Sequence, residues 1–348
     1  MSEGKVKRKI IFLIFAAVMV VAGGCSTDGG DTEASRDLFA MDTYMTVTAY
    51  DKGATEAVDQ AADEISRLDQ LLSTGNEDSE IYKINQSGDG ILSEETAYLV
   101  ERSLNLYEAT DGAFDIAIYP VMKAWGFTDD NFRVPDADEL KDLLTLTDAS
   151  DISYDKETLQ IAFKKDGMQI DFGGIAKGYT SARIMDIFRA CGIKSGLVNL
   201  GGNVQALGTK KDGSSWRVAV QDPQDTDQYL GVLSIQDKAM ITSGGYERYF
   251  VGDDGEVYWH IIDPATGAPA RSGLISVTVI GDRGVVCDAL STALFVMGLD
   301  KAAEYWRRYG DFEAVFVAED GSVAITSGLQ DCFTLADGDT DRPLMVSD

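Results

Sequence analysis

Short strand signals and helical signals interleave along this chain with no long linker and no internal repeat, and that interleaving limits the folds open to it. Met45–Tyr50 alternates like a strand, while residues 55–72 carry apolar side chains at helical spacing. Residues 96–110 read as a second helix and residues 136–144 as a shorter one opened at Pro135. Gln169–Phe172 reads as the end of a strand, followed by a helix over residues 178–191 that stops at Gly192. Further strands are expected at residues 195–200, 216–221, 230–235, 258–262 and 275–280, with late helices at 286–297 and 301–309. Strands bunched between a few helices favour an α+β fold over a doubly wound sheet. With only 6 prolines in 348 residues and no shift in composition, residues 38–348 are expected to form one compact domain of mixed sheets and helices, an outline that two interlocked halves would also satisfy.

The first residues carry an address. Lys5, Lys7, Arg8 and Lys9 precede an apolar run, Ile10 to Val21, that is too short to span a bilayer, and Ala22-Gly23-Gly24-Cys25 follows. This pattern resembles a bacterial lipoprotein signal peptide. Residues 1–24 would then be removed, Cys25 would become the lipidated N-terminus, and the polar, acidic residues 25–37 would serve as a flexible tether. The expected location is extracytoplasmic, with the lipid anchor in the bacterial cell membrane. An ordinary secretory signal or a short anchor, with Cys25 incidental, is the alternative. Cys191, Cys287 and Cys332 are widely spaced with no C-x-x-C pair, so they read as free thiols.

Charge narrows the partners. The 58 Asp and Glu against 30 Lys and Arg leave −28, which repels phosphate backbones and argues against nucleic-acid binding. An anionic ligand would need a local remedy: a metal ion, a lysine, or backbone N–H groups at a helix start.

Three glycine pairs supply candidate places for one. Asp171-Phe172-Gly173-Gly174-Ile175-Ala176-Lys177-Gly178 leads into a helix, so bare backbone and Lys177 can approach negative charge, yet its spacing is neither a Walker A loop nor G-x-G-x-x-G. Gly201-Gly202 and Gly244-Gly245 each close an apolar strand. Any one of them alone reads as an ordinary turn, but three at strand ends point to a shared cleft. In Cys287-Asp288-Ala289-Leu290-Ser291-Thr292, a helix would place Asp288 and Thr292 one turn apart, where a carboxylate and a hydroxyl can hold one hard cation; the bland reading is an Asp N-cap and a packed Thr. His260 is the sole histidine and could serve as a general base, or simply be a satisfied strand residue.

In their order as well as their wording, Met41-Asp42-Thr43, Asp111–Asp115, Asp171–Tyr179, Asn199–Asn203, Thr242-Ser243-Gly244, His260–Gly267 and Asp288–Thr292 resemble the ApbE family of flavin transferases, over about residues 39–335. The resemblance implies that FAD is split at its pyrophosphate, that FMN is attached through a phosphoester to a Thr or Ser of an acceptor protein, and that AMP leaves. By the same resemblance FAD would contact Met41, Ala113, Phe114, Asp115, Asp171, Lys177 and Ile262. A magnesium ion would take the Gly174 carbonyl with Asp288 and Thr292, and His260 and Asp288 would be the catalytic residues. Implied acceptors are flavin-carrying subunits of membrane redox pumps or extracytoplasmic FMN-binding domains, modified in a Ser/Thr-Gly-Ala-Ser/Thr type motif. Hydrolysis of FAD to FMN and AMP, or flavin binding without chemistry, are the competing functions. Two positions depart from the family pattern: Ser73-Thr74-Gly75 stands where many members have Ser-Thr-Tyr, and Ser291 where some have a carboxylate. With an ordinary histidine, the transfer rate would show an acid limb at roughly pH 6 to 7.

Overall fold

The computed structural model describes residues 32–336 and, as backbone, 344–347. The signal segment and Cys25 lie outside the described residues. The alternation at Met45–Tyr50 builds a hairpin of β1 (Glu33–Ala40) and β2 (Thr43–Tyr50), in register from Glu33 opposite Tyr50 to Ala40 opposite Thr43. Residues 33–37 of the expected tether are therefore the edge of a sheet. Polar sequence does not prevent this, because an edge strand turns most of its side chains to water and needs only its backbone to pair. Its polar groups find partners too: Thr46 donates to Asp37 (2.6 Å) and Arg36 pairs with Asp59 (2.8 Å).

Seven more strands follow: β3 (Ser195–Leu200), β4 (Asn203–Leu207), β5 (Ala239–Gly244), β6 (Leu274–Gly281), β7 (Glu313–Ala318), β8 (Val323–Thr326) and β9 (Leu344–Ser347). They extend the hairpin into a nine-stranded sheet whose spatial order is the chain order, antiparallel throughout except for parallel β8 and β9. Six helices sit in the long excursion between β2 and β3: α1 (Ala54–Leu72), α2 (Glu80–Ser87), α3 (Glu94–Ala109), α4 (Tyr119–Trp125), α5 (Ala137–Leu144) and α6 (Ala176–Ala190). Two more, α7 (Gly284–Met297) and α8 (Leu299–Tyr309), join β6 to β7. This is the expected α+β domain.

The period of two along the strands sorts the core into layers. Ala239, Ile241, Val277, Val279, Ala314 and Phe316 face the helices. Met240, Ile280, Val315, Val317, Val323 and Ile325 face a three-stranded sheet made of Trp216–Gln221, Tyr229–Ile235 and Phe333–Leu335. Helix α7 is apolar nearly all round because it is enclosed by β5, β6, α3 and α6. That enclosure makes the position of Asp288, on its second turn, a rigid one.

One expected strand is absent and another is shortened. Gln169–Phe172 is not a strand: the Asn85 side chain takes the place of a neighbouring strand, accepting from Ile170 N–H (2.7 Å) and donating to its carbonyl (2.8 Å). The strand expected at 258–262 ends at Trp259, and only an isolated bridge from Ile262 to Pro269 follows. Cys191, Cys287 and Cys332 are free thiols. Among the described residues no helix is long and apolar enough to cross a membrane.

Candidate active site

Helix α6 lacks a side-chain cap of its own, since Ile175 stands at its N-cap. The missing acceptor comes from α7. Asp288 Oδ2 accepts the Gly178 N–H (2.7 Å), and its Oδ1 accepts from Asn203 Nδ2 (3.0 Å) on β4. This reach depends on two glycines at the helix crossing. A Cβ on Gly178 would lie 2.3 Å from the Gly284 carbonyl oxygen and one on Gly284 2.8 Å from that of Gly178, so any larger residue would push the helices apart. Asp288 is 4% exposed, and burial raises its pKa against the pull of Lys177 and these hydrogen bonds.

The other oxygens gather beside it. Thr292 lies one turn further along α7, and Ser243 at the end of β5 meets both Thr292 Oγ1 (3.3 Å) and Ser291 Oγ (2.8 Å). Ser291 in turn donates to the Asp288 carbonyl (2.7 Å), so it braces the helix rather than facing a ligand. A Cβ on Gly174 would lie 3.7 Å from Thr292 Oγ1 and 3.1 Å from the Phe114 ring, which brings the first glycine turn to the same place. The donors are all oxygen with one carboxylate, a set suited to a hard cation with several waters. Among the described residues no three His, Cys, Asp or Glu side chains cluster as a metal cage.

Around Lys177, on the first turn of α6, the charges are unbalanced. Lys177 makes no ion pair among the described residues, yet its charge acts on Asp171, Glu247, Asp288 and His260. Burial raises Asp171 despite the Gly173 N–H it accepts. Glu247 is an exposed residue; desolvation on its protein side pushes it up to about 7, Lys177 opposing and Asp288 adding to the rise. His260 goes the other way. Burial, with the Lys177 and Arg248 charges, depresses it to about 4 against the hydrogen bond to Arg248, so the ring is neutral at pH 7. Its Nδ1 lies 3.1 Å from the Arg248 carbonyl, which can only accept; Nδ1 therefore carries the proton and Nε2 a free lone pair.

This arrangement, a helix start with a lysine beside a group of oxygens on α7, is built from the segments that carry the ordered motifs of the sequence. The model of the ApbE family matches residues 41–316. The chain belongs to the ApbE family. It is 33% identical over 341 residues to the FAD:protein FMN transferase of Treponema pallidum, covering 91% of this chain and 93% of that one. To the Escherichia coli K12 protein of the same name it is 32% identical, over 74% of this chain and 76% of the other. The solved ApbE protein of Thermotoga maritima superposes with a TM-score of 0.82 at 32% identity, covering 86% of this chain and 99% of that one. The Pseudomonas stutzeri flavinyl transferase ApbE gives 0.78 at 29%, over 89% and 100%.

With the ApbE assignment in hand, the expected FAD contacts separate into two groups. Met41, Phe114, Asp171 and Lys177 gather at the start of α6, Phe114 against Gly174, Asp171 within range of the Lys177 charge and Met41 Sδ 3.9 Å from Thr180 Oγ1, while half-buried Ala113 precedes Phe114. Met41 (φ 47°) and Asp42 (φ 58°) form the two-residue turn between β1 and β2, and Met41 N–H is held by Asp69 (3.1 Å). Positive φ at both central residues is what a two-residue hairpin turn of this hand requires. Gly201-Gly202 makes the equivalent turn between β3 and β4, packed on Thr43. Asp115 and Ile262 are turned inward. Asp115 accepts Ala117 N–H (2.7 Å) and Ala149 N–H (3.2 Å) and is raised to about 6 by burial, so its carboxylate folds the loop that presents Phe114. Ile262 packs with Val121, Trp125 and Phe127. Gly75, the departure from Ser-Thr-Tyr, faces open space, with no atom within 4 Å of a Cβ there.

Sequence reasoning passed over Asn203, Glu247, Arg248 and Gly284 as functional positions. Asn203 could have been flagged as a polar residue immediately after a Gly-Gly turn; Glu247 and Arg248 carry no local signal.

Proposed function

We propose that this chain transfers FMN from FAD to a Ser or Thr hydroxyl of an acceptor protein, with a divalent cation, normally magnesium, in the Asp288–Thr292 niche. The observation that carries this reading is Lys177 at the α6 start among the Asp171, Glu247 and Asp288 carboxylates, with Asp288 buried one turn from Thr292: the acids outnumber this lysine, and a cation completes the balance. Asp288, Thr292 and the Gly174 carbonyl would hold that cation, and its chemistry when bound is neutralisation of the pyrophosphate and polarisation of a phosphoryl oxygen. Lys177 supplies the protein's own positive charge to the pyrophosphate, at the positive end of the α6 dipole. The neutral His260 accepts the hydroxyl proton at Nε2 while its Nδ1–H stays on the Arg248 carbonyl. The acceptor oxygen forms a bond to the FMN phosphorus, the bond from that phosphorus to the bridging oxygen breaks, and AMP leaves with that oxygen.

Export as a lipoprotein anchored through Cys25, and acceptors such as flavin-carrying subunits of membrane redox pumps or extracytoplasmic FMN-binding domains, complete the reading; the signal-like segment of residues 1–25 supports it. Incubation with FAD, an acceptor domain and magnesium or EDTA tests it. Flavin fluorescence on the acceptor band with magnesium and none with EDTA is the expected result; free FMN alone would show a hydrolase, and intact FAD a binding protein.

A further inference from the structure

Glu247-Arg248 and His260, from the two sides of one segment, are joined by a hydrogen bond from His260 N–H to the Arg248 carbonyl (3.0 Å). Between them the chain leaves the cleft as a separate two-stranded ribbon, Tyr249–Val251 paired with Val257–Trp259 in register Tyr249 to Trp259 and Val251 to Val257. Its inner face is anchored: Phe250 and Tyr258 stack on each other (5.3 Å) and pack on Trp125 at 6.3 and 5.2 Å. Its tip is tied as well, with Asp254 accepting from Tyr258 Oη (2.7 Å) and Glu256 N–H (3.0 Å). The other face is buried at its root, where Trp259 packs on Phe295 and carries the Arg271 guanidinium over its ring (4.0 Å), and opens to water further out. Tyr249 is 44%, Val251 59% and Val257 38% exposed.

Three exposed apolar side chains on a rigid ribbon rooted at Arg248 and His260 offer a macromolecular substrate a surface beside the imidazole. We propose that the outer face of this ribbon docks the acceptor protein, seating an extended segment around the modified Ser or Thr; this rests on the transferase reading above. The tip carries Asp253, Asp254 and Glu256, the positive charges of Arg248 and Arg271 lie at the root beside Trp259 and Val257, and the whole chain stands at −28. The segment it fits is therefore apolar at its centre and neutral or basic at the flank that meets the tip, where an acidic flank would be repelled.

The test compares the wild type with Val251→Thr/Val257→Thr, which keeps β-branched side chains on an exposed strand, and with Tyr249→Thr as a second variant. Initial rates of FMN transfer to a folded extracytoplasmic FMN-binding domain carrying a Ser/Thr-Gly-Ala-Ser/Thr motif are measured against acceptor concentration, and FAD affinity by flavin fluorescence titration. The expected result is an acceptor KM raised about five- to tenfold, with kcat within about twofold and FAD affinity unchanged. Unchanged KM in both variants, or an equal loss of FAD affinity, overturns the docking face while leaving the transferase intact. A wild type that binds FAD but moves no FMN to the domain overturns the transferase reading and the docking face with it.

Discussion

Asp288 and His260 both feel the charge of Lys177, but the walls that carry them are built differently. On the α6–α7 wall the carboxylate is enclosed and both of its oxygens are bonded to the protein, to Gly178 and Asn203. On the Glu247–His260 wall the groups keep capacity in reserve: Nε2 of His260 is unbonded among the described residues and Glu247 reaches water. The enclosed wall fixes position, and the open wall holds groups whose protonation can change. A buried carboxylate with two donors is costly to disturb and poor at exchanging protons; a desolvated but accessible imidazole is the reverse.

The largest expected effect breaks the enclosed wall. Asp288→Ala leaves the Gly178 N–H and Asn203 amide without their acceptor, and should lower stability by about 2 kcal/mol as well as abolish magnesium-dependent transfer. Thermal unfolding and a transfer assay read the two losses separately; full transfer in this variant would remove the cation niche from α7.

His260→Asn attacks the open wall and should slow transfer about a hundredfold with no comparable loss of FAD affinity. In the wild type the rate should hold above about pH 5 and fall as pH drops through about 4, where the ring protonates. A single-turnover profile with its acid limb at 6 to 7 would show that the cleft does not desolvate the ring. Stability should follow the same group. The folded pKa of about 4 lies below the unfolded 6.5, so this contribution is complete above 6.5 and is lost as pH falls towards 4. In melts between pH 4 and 7, His260→Asn should lose that part of the slope.

Lys177→Met sits between the walls and should weaken FAD binding about tenfold, roughly 1.4 kcal/mol, one charge-assisted contact. Fluorescence titration measures it, and an unchanged affinity would mean that the pyrophosphate lies elsewhere. The smallest effect is a titration shift. Glu247, pushed up to about 7, should titrate lower in Asp288→Asn, where a like charge is gone, and higher in Lys177→Met. Carboxyl carbon NMR of Glu247 would report both, and no shift in either variant would uncouple the two walls.

Much of the scaffold was legible because local patterns decide it. Residues 195–200 and 216–221 form strands with the expected bounds, and the helix expected over 286–297 starts two residues earlier, at Gly284. The failures share a cause: at Gln169–Phe172 and after Trp259 the backbone is satisfied by a distant side chain or a single bridge, which no local window contains. The site divides in the same way. Lys177, Asp288, Thr292 and His260 stood out as candidates from a glycine turn, a one-turn spacing and a sole histidine, whereas Glu247 entered only when the fold set it within range of Lys177 and Asp288.

The sequence by itself determined the strand and helix periods, the acidic balance, the glycine turns and the family of motifs, because each of these is written in neighbouring residues or in their order along the chain. Tertiary structure alone decided the protonation and the roles. That Asp288 caps α6, that Asp115 turns inward and that His260 stays neutral down to about pH 4 depend on burial and on partners far away in the chain. The physical reason is that desolvation and Coulomb terms are set by distances in space, and those exist only once α6, α7 and the sheet have packed.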